Sequence, residues 1–99
     1  MDKSYSIEEI KAIAVEVAKE YGVEKIALFG SFAHGEQEER SDIDFVVKKG
    51  NIKGYIQFCS FVNALEERFG RHVDVMTYNS LEQALFKDAL DNEVVLYEQ

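Results

Sequence analysis

The sequence predicts a two-layer α/β or α+β domain: a small mixed sheet of three or four strands with helices packed mainly on one face. Three observations predict it. Stretches with apolar residues at helical spacing alternate with short apolar runs of strand length, and Gly, Asn or Ser stands at most of the joints between them. Ninety-nine residues can enclose one modest core, so one domain over residues 1–99 is expected.

Ser6-Ile7-Glu8-Glu9 has the form of a capping box, in which the Ser6 hydroxyl accepts from the Glu9 amide and the Glu9 side chain reaches back. Ile7, Ile10, Ile13, Ala14, Val17, Ala18 and Tyr21 then repeat at helical spacing, and Gly22 stops the helix. Residues 25–29, Lys-Ile-Ala-Leu-Phe, form a nearly continuous apolar run, which predicts a strand covered on both faces. Residues 32–35 predict a short turn or helical piece starting at Ser31, and residues 36–40 a polar surface loop. The second strand covers residues 41–47 and ends in the turn residues Lys48-Lys49-Gly50-Asn51. A second amphipathic helix is expected over residues 55–69, with Tyr55, Phe58, Cys59, Val62, Leu65 and Phe69 facing inward and Gly70 ending it. Residues 71–76 predict a third strand. Ser80-Leu81-Glu82-Gln83 is a second capping box, opening a helix over residues 81–90, and residues 94–97 dock as a short strand or a tail.

With 46% hydrophobic and 12% aromatic residues the chain has enough apolar side chains to fold, and 11 basic against 19 acidic residues give it a net charge of −8. No Lys/Arg run in the sequence would track a phosphate backbone, so long nucleic acids are poor candidates as partners. The acidic balance suits metal ions or a protein with basic patches. The single cysteine, Cys59, cannot form an internal disulfide and reads as a small buried hydrophobe, which fits a reducing, cytoplasmic setting. No segment has the length or apolarity of a membrane span or a leader, so a soluble, unprocessed protein is expected.

The chemistry concentrates where Gly30-Ser31 ends the first apolar run and Asp42-Ile43-Asp44 opens the next, with residues 32–41 between. Positions i and i+2 of a strand share a face, roughly 6.6 Å apart, so Asp42 and Asp44 lie on one side and Ile43 and Phe45 on the other. Two carboxylates this close repel unless a cation lies between them. Asp42 capping the turn and Asp44 on a solvated face is the bland alternative. The third strand argues against it, because Val73-Asp74-Val75 again buries an aspartate between β-branched neighbours, and aspartate is depleted in strand interiors. If the second and third strands are neighbours, the three aspartates converge on hard divalent cations, and two Mg²⁺ ions are the natural occupants beside a substrate's phosphates. Gly30 allows close approach of a phosphate, and Ser31 with free amides at a helical start suits an anion. The connection of residues 32–41 makes the first two strands antiparallel.

Gly30-Ser31, the spacer, Asp42-Ile43-Asp44 and then Asp74 resemble the signature of the nucleotidyltransferase superfamily of the DNA polymerase β type. The segments LFGSFAHGE, SDIDFVV and HVDVMT look most like its minimal nucleotidyltransferases, and the similarity spans nearly the whole chain. The resemblance implies a polymerase β-like nucleotidyltransferase fold. It also implies an antitoxin that moves AMP from ATP to a tyrosine hydroxyl of a partner HEPN toxin, the two forming a toxin–antitoxin pair. Carried over by position, Gly30 and Ser31 bind the triphosphate, Asp42 and Asp44 hold the metals, and Asp74 serves the metal near the attacking hydroxyl. His34 departs from the pattern, since the family often has Arg there, and a mostly neutral imidazole grips phosphate less well. His72 reads as structural.

Two further readings stand beside this one: an antitoxin that neutralises its partner by binding, with weak or no catalysis, and transfer to a small molecule such as an aminoglycoside. Three retained aspartates favour catalysis, and the short chain disfavours a small-molecule acceptor, whose enzymes generally need an added domain. With nothing left over to hold the acceptor, a partner or a second copy helps to shape that site, and the aromatic residues Tyr55, Phe58, Phe61 and Phe69 are candidates for contact.

Overall fold

The structure is a computed structural model that describes residues 6–29, 43–80, 87 and 93–99. Helix α1 (Ile7–Tyr21) begins at the expected capping box: the Glu9 amide donates to Ser6 Oγ at 3.1 Å and the Ser6 amide to Glu9 Oε1 at 3.2 Å. It ends at Gly22, whose φ of +73° only glycine adopts without strain. Strands β1 (Lys25–Phe29), β2 (Ile43–Lys48), β3 (Val73–Thr77) and β4 (Val94–Glu98) form one mixed sheet in the order β3-β2-β1-β4. β1 pairs antiparallel with both β2 and β4, and β2 pairs parallel with β3. The parallel pair needs a crossover, which helix α2 (Gly54–Phe69) supplies. Residues 94–97 thus resolve as an edge strand, and a register shift opposite Ile26/Ala27 marks its pairing with β1.

Both described helices pack on one face of the sheet. Ile10, Ala14, Val17 and Ala18 of α1 and Phe61, Leu65 and Phe69 of α2 close over Ile26, Leu28, Ile43, Phe45, Val47 and Val73. Phe45 and Phe69 meet at 5.9 Å between centroids, and Tyr21 meets Phe61 edge-on at 5.8 Å. Two expectations for α2 change. Phe61 is fully buried, whereas Tyr55, expected inward, is 80% exposed. Its helical turn, the first of α2, sits at the end of the sheet, where Tyr55 lines a pocket with Lys49 and Thr77. Of the helix predicted over residues 81–90 only Lys87, which is helical, is described, and the turn after Ser31 lies outside the described residues; Ser80 ends a 3₁₀ turn (Tyr78–Ser80) and its hydroxyl donates to the Thr77 carbonyl at 2.8 Å.

The opposite face of the sheet is also covered at its centre, as the continuous apolar run of β1 predicts: Ala27 and Val46 are fully buried beside Tyr78, with Phe29 packed against them. Lys25 lies on this face, with only 9% of its side chain exposed, and is held by Glu93 at 2.7 Å. The Tyr78 hydroxyl donates to the same carboxylate, and Lys25 Nζ stands 4.8 Å from the Tyr78 ring centroid. Burial first, then the bond to Glu93, pushes the Tyr78 phenol up to about 12, against the opposing pull of Lys25. For Lys25, burial is the largest single influence and lowers its pKa, but the bonds and charges of Glu93 and Tyr78 together outweigh it and raise the value.

The turn after β2 is fixed by backbone contact. Gly50 has φ +59°, and a Cβ there would stand 2.6 Å from the Gly22 carbonyl oxygen and 2.7 Å from the Glu24 amide nitrogen. Gly50→Ala is therefore expected to cost about 2 kcal/mol or more, read as a lower denaturation midpoint with an unchanged slope. The phenol supplies a pH signature. Because the folded state raises the Tyr78 pKa from 10.0 to about 12, its contribution is complete below pH 10 and is lost as pH rises through about 12. Denaturation across that range should show falling stability, and Tyr78→Phe should flatten the fall.

Candidate active site

Strand alternation and register place the carboxylates. In β2, Ile43, Phe45 and Val47 enter the helix-covered core, so Asp44 and Val46 must face the other way. Asp44 is the register partner of Asp74 in the parallel pair β2–β3, and partners across a parallel pair share a face. The two carboxylates thus stand on neighbouring strands, about 4.8 Å apart in the direction of strand pairing, on the face away from both helices. The expected adjacency of the second and third strands is present, as is the antiparallel pairing of the first two. On its other side Asp44 is paired with Phe29, the residue before Gly30. The chain therefore leaves for residues 30–42 beside Asp44 and returns at Ile43, its immediate neighbour. Gly30, Ser31 and Asp42, like His34, lie outside the described residues.

One expectation about Asp74 is corrected. Its side chain is 49% exposed rather than buried between Val73 and Val75, because β3 is the outermost of the described strands, with β2 as its one neighbour among them. A half-exposed oxygen ligand suits a site that must admit a substrate. Asp44 and Asp74 supply carboxylate oxygens, the donors that hard divalent cations take. Among the described residues no group of three or more His, Cys, Asp or Glu side chains is arranged to hold a metal ion, and the third proposed ligand, Asp42, is outside them.

His72, read from sequence as structural, touches the site directly. Its Nε2 lies 3.1 Å from Asp74 Oδ1, and its Nδ1 lies 2.8 Å from Glu66 Oε2. Glu66 Oε2 also accepts from the Val73 amide at 3.2 Å, on the open side of the edge strand. The sequence did carry a signal for His72: it stands two positions from Asp74, the spacing that puts two strand residues on one face. Glu66 had none, because its place depends on how α2 lies against β3.

The far end of the sheet holds a different environment. A cavity of about 400 Å³ is lined by Lys25, Lys48, Lys49, Thr77, Tyr78 and Asn79. Lys25 and Lys48, distant in sequence, are cross-strand partners there. Lys48 is four residues along β2 from Asp44, roughly 13 Å, so this cavity is separate from the carboxylates.

The comparisons agree with this geometry. The family described as polymerase beta, nucleotidyltransferase matches residues 8–99. A Methanocaldococcus jannaschii relative, MJ0435, whose name makes it a candidate protein adenylyltransferase, is 41% identical over 90 residues, covering 91% of this chain and 96% of that protein. The protein adenylyltransferase MntA of Thermococcus cleftensis is 34% identical over 94 residues, covering 91% of this chain and 94% of its own. A crystal structure of a toxin–antitoxin with AMP-PNP superposes with a TM-score of 0.77 at 21% identity, over 90% of this chain and 73% of that one. A tri-AMPylated Shewanella oneidensis HEPN toxin in complex with MNT antitoxin gives 0.70 at 17% identity, over 93% of this chain and 72% of that one. At those identities the two structures establish a shared fold. The family match over almost the whole sequence goes further: this chain belongs to the polymerase β-type nucleotidyltransferases.

Proposed function

We propose that this nucleotidyltransferase is the antitoxin of a two-protein pair and transfers AMP from ATP to a tyrosine hydroxyl of a HEPN-domain toxin. The observation that carries the reading is the register of Asp44 with Asp74 on the face away from α1 and α2, beside the point where the chain departs for Gly30 and Ser31. Relatives named protein adenylyltransferases and fold neighbours that pair an MNT antitoxin with an AMPylated HEPN toxin point to the same donor and the same class of acceptor. A nucleotide analogue in another fold neighbour agrees with ATP as the donor.

In this reading the acceptor oxygen attacks the α-phosphorus of ATP, the bond from that phosphorus to the bridging oxygen breaks, and pyrophosphate leaves. Asp74, half exposed on the face away from α1 and α2, would receive the proton of the acceptor hydroxyl. Gly30 and Ser31 hold the triphosphate, and Asp42, Asp44 and Asp74 hold two Mg²⁺ ions. Those ions, when bound, neutralise the triphosphate and the charge that develops on attacking and leaving oxygens. The residues of this chain would position the reacting groups: Asp44 from the inner strand β2 and Asp74 from the outer strand β3. In this reading the partner's own surface helps to shape the acceptor side of the site. None of the described helices is long and apolar enough to cross a membrane.

The test uses the full chain, labelled ATP, Mg²⁺ and a candidate HEPN-domain partner protein. Label should appear on a tyrosine of the partner. Asp44→Asn or Asp74→Asn should each lower transfer by more than about a hundredfold, beyond what loss of a supporting residue costs. Chelation of the metal should stop it. Neutralisation of the toxin by the Asp42→Asn/Asp44→Asn double variant, together with no transfer by the wild type, would instead establish an antitoxin that acts by binding.

A further inference from the structure

The geometry points to Glu66 and His72 as positioning residues for Asp74: a side-chain relay from the packed helix α2 to the carboxylate at the sheet edge. The inference rests on the reading of Asp74 as a carboxylate of the transfer site. Asp74 needs such support. It stands on the outer strand with its side chain half exposed, and a carboxylate there turns about its side-chain torsions unless something holds it. Group transfer is sensitive to sub-ångström placement of its ligands, so that freedom carries a catalytic cost.

His72 removes the freedom at one end. Its Nε2, 3.1 Å from Asp74 Oδ1, engages one carboxylate oxygen and leaves the rest of the group turned toward the site. The imidazole is itself 61% exposed and would swing if nothing fixed its other nitrogen. Glu66 does so at 2.8 Å. Glu66 is anchored in turn, since the same oxygen accepts from the Val73 amide and its helix is pinned by the buried Leu65 on one side in sequence and Phe69 one turn on. The relay therefore starts in the core and ends at the reacting centre, with each link set by the one before. An imidazole suits the middle position because it offers two nitrogens on opposite sides of a rigid ring.

A plain surface role makes a different claim. Exposed ion pairs contribute about 0–1 kcal/mol, and as such His72 would affect stability slightly and the site not at all. Glu66 needs no His72 to cap the Val73 amide.

The experiment measures Mn²⁺ binding to the full chain by electron paramagnetic resonance, with adenylyl transfer and thermal midpoint recorded in parallel. His72→Ala should weaken Mn²⁺ binding about tenfold, within the range found when a residue supporting a metal ligand is lost. It should lower kcat by a comparable factor while KM for ATP and the thermal midpoint stay nearly unchanged. His72→Gln, which keeps a donor, should recover part of the loss, and Glu66→Gln should reproduce part of it. The double variant Glu66→Ala/His72→Ala should be no weaker than the worse single variant, because both act through one relay. Wild-type binding with His72→Ala unchanged, or losses from the two residues that simply add, overturns the relay alone. Absence of Mn²⁺ binding and of transfer in the wild type overturns the reading of Asp74 and the relay with it.

Discussion

The site depends on the two-residue alternation of β2, locked by the core. Ile43, Phe45 and Val47 are each fully buried against the helices, and a slip of one residue would exchange them for Asp44 and Val46. Burying a carboxylate under α1 and α2 while exposing three large apolar side chains would cost far more than a domain of this size has in reserve. Packing under the helices therefore fixes the orientation of Asp44 on the other face. The parallel register then carries that orientation across to Asp74.

The same sheet keeps two unlike environments apart. At one end the carboxylates face outward beside the start of residues 30–42; at the other, Lys25 and Lys48 stand side by side. Like charges as cross-strand partners repel. Glu93, brought in just before β4, balances the buried member of that pair and also binds the Tyr78 phenol. Lys25, Glu93 and Tyr78 thus close the second face of the sheet at the end away from Asp44.

Edge position governs the exposure of Asp74. An interior strand would hold its side chain between two neighbours and cover it. On the outer strand the carboxylate is accessible and short of support, and the support that the structure provides comes from outside the sheet, through His72 and Glu66. Glu66 serves two needs with one oxygen, since the outer strand also leaves the Val73 amide without a strand partner on that side.

Much of this was legible in the sequence, because the forces involved are local. The capping box at Ser6, the stop at Gly22 and the alternation Ile43-Asp44-Phe45 depend on residues within one turn or one strand, so the helix, its ends and the facing of Asp44 could be read directly. The expected adjacency of the second and third strands also held, since α2 spans the distance a parallel crossover needs. What the sequence could not supply was relative position. Tyr55 and Phe61 are both aromatic on one amphipathic helix, and which is buried follows from where each turn of α2 sits along the sheet. The exposure of Asp74 follows from β3 being outermost, and the ion pair of Lys25 with Glu93 joins residues 68 positions apart. The role of Glu66 belongs to the same class. Periodicity and capping act over a few residues and so are written along the chain; strand order and helix placement are settled only when the whole core packs.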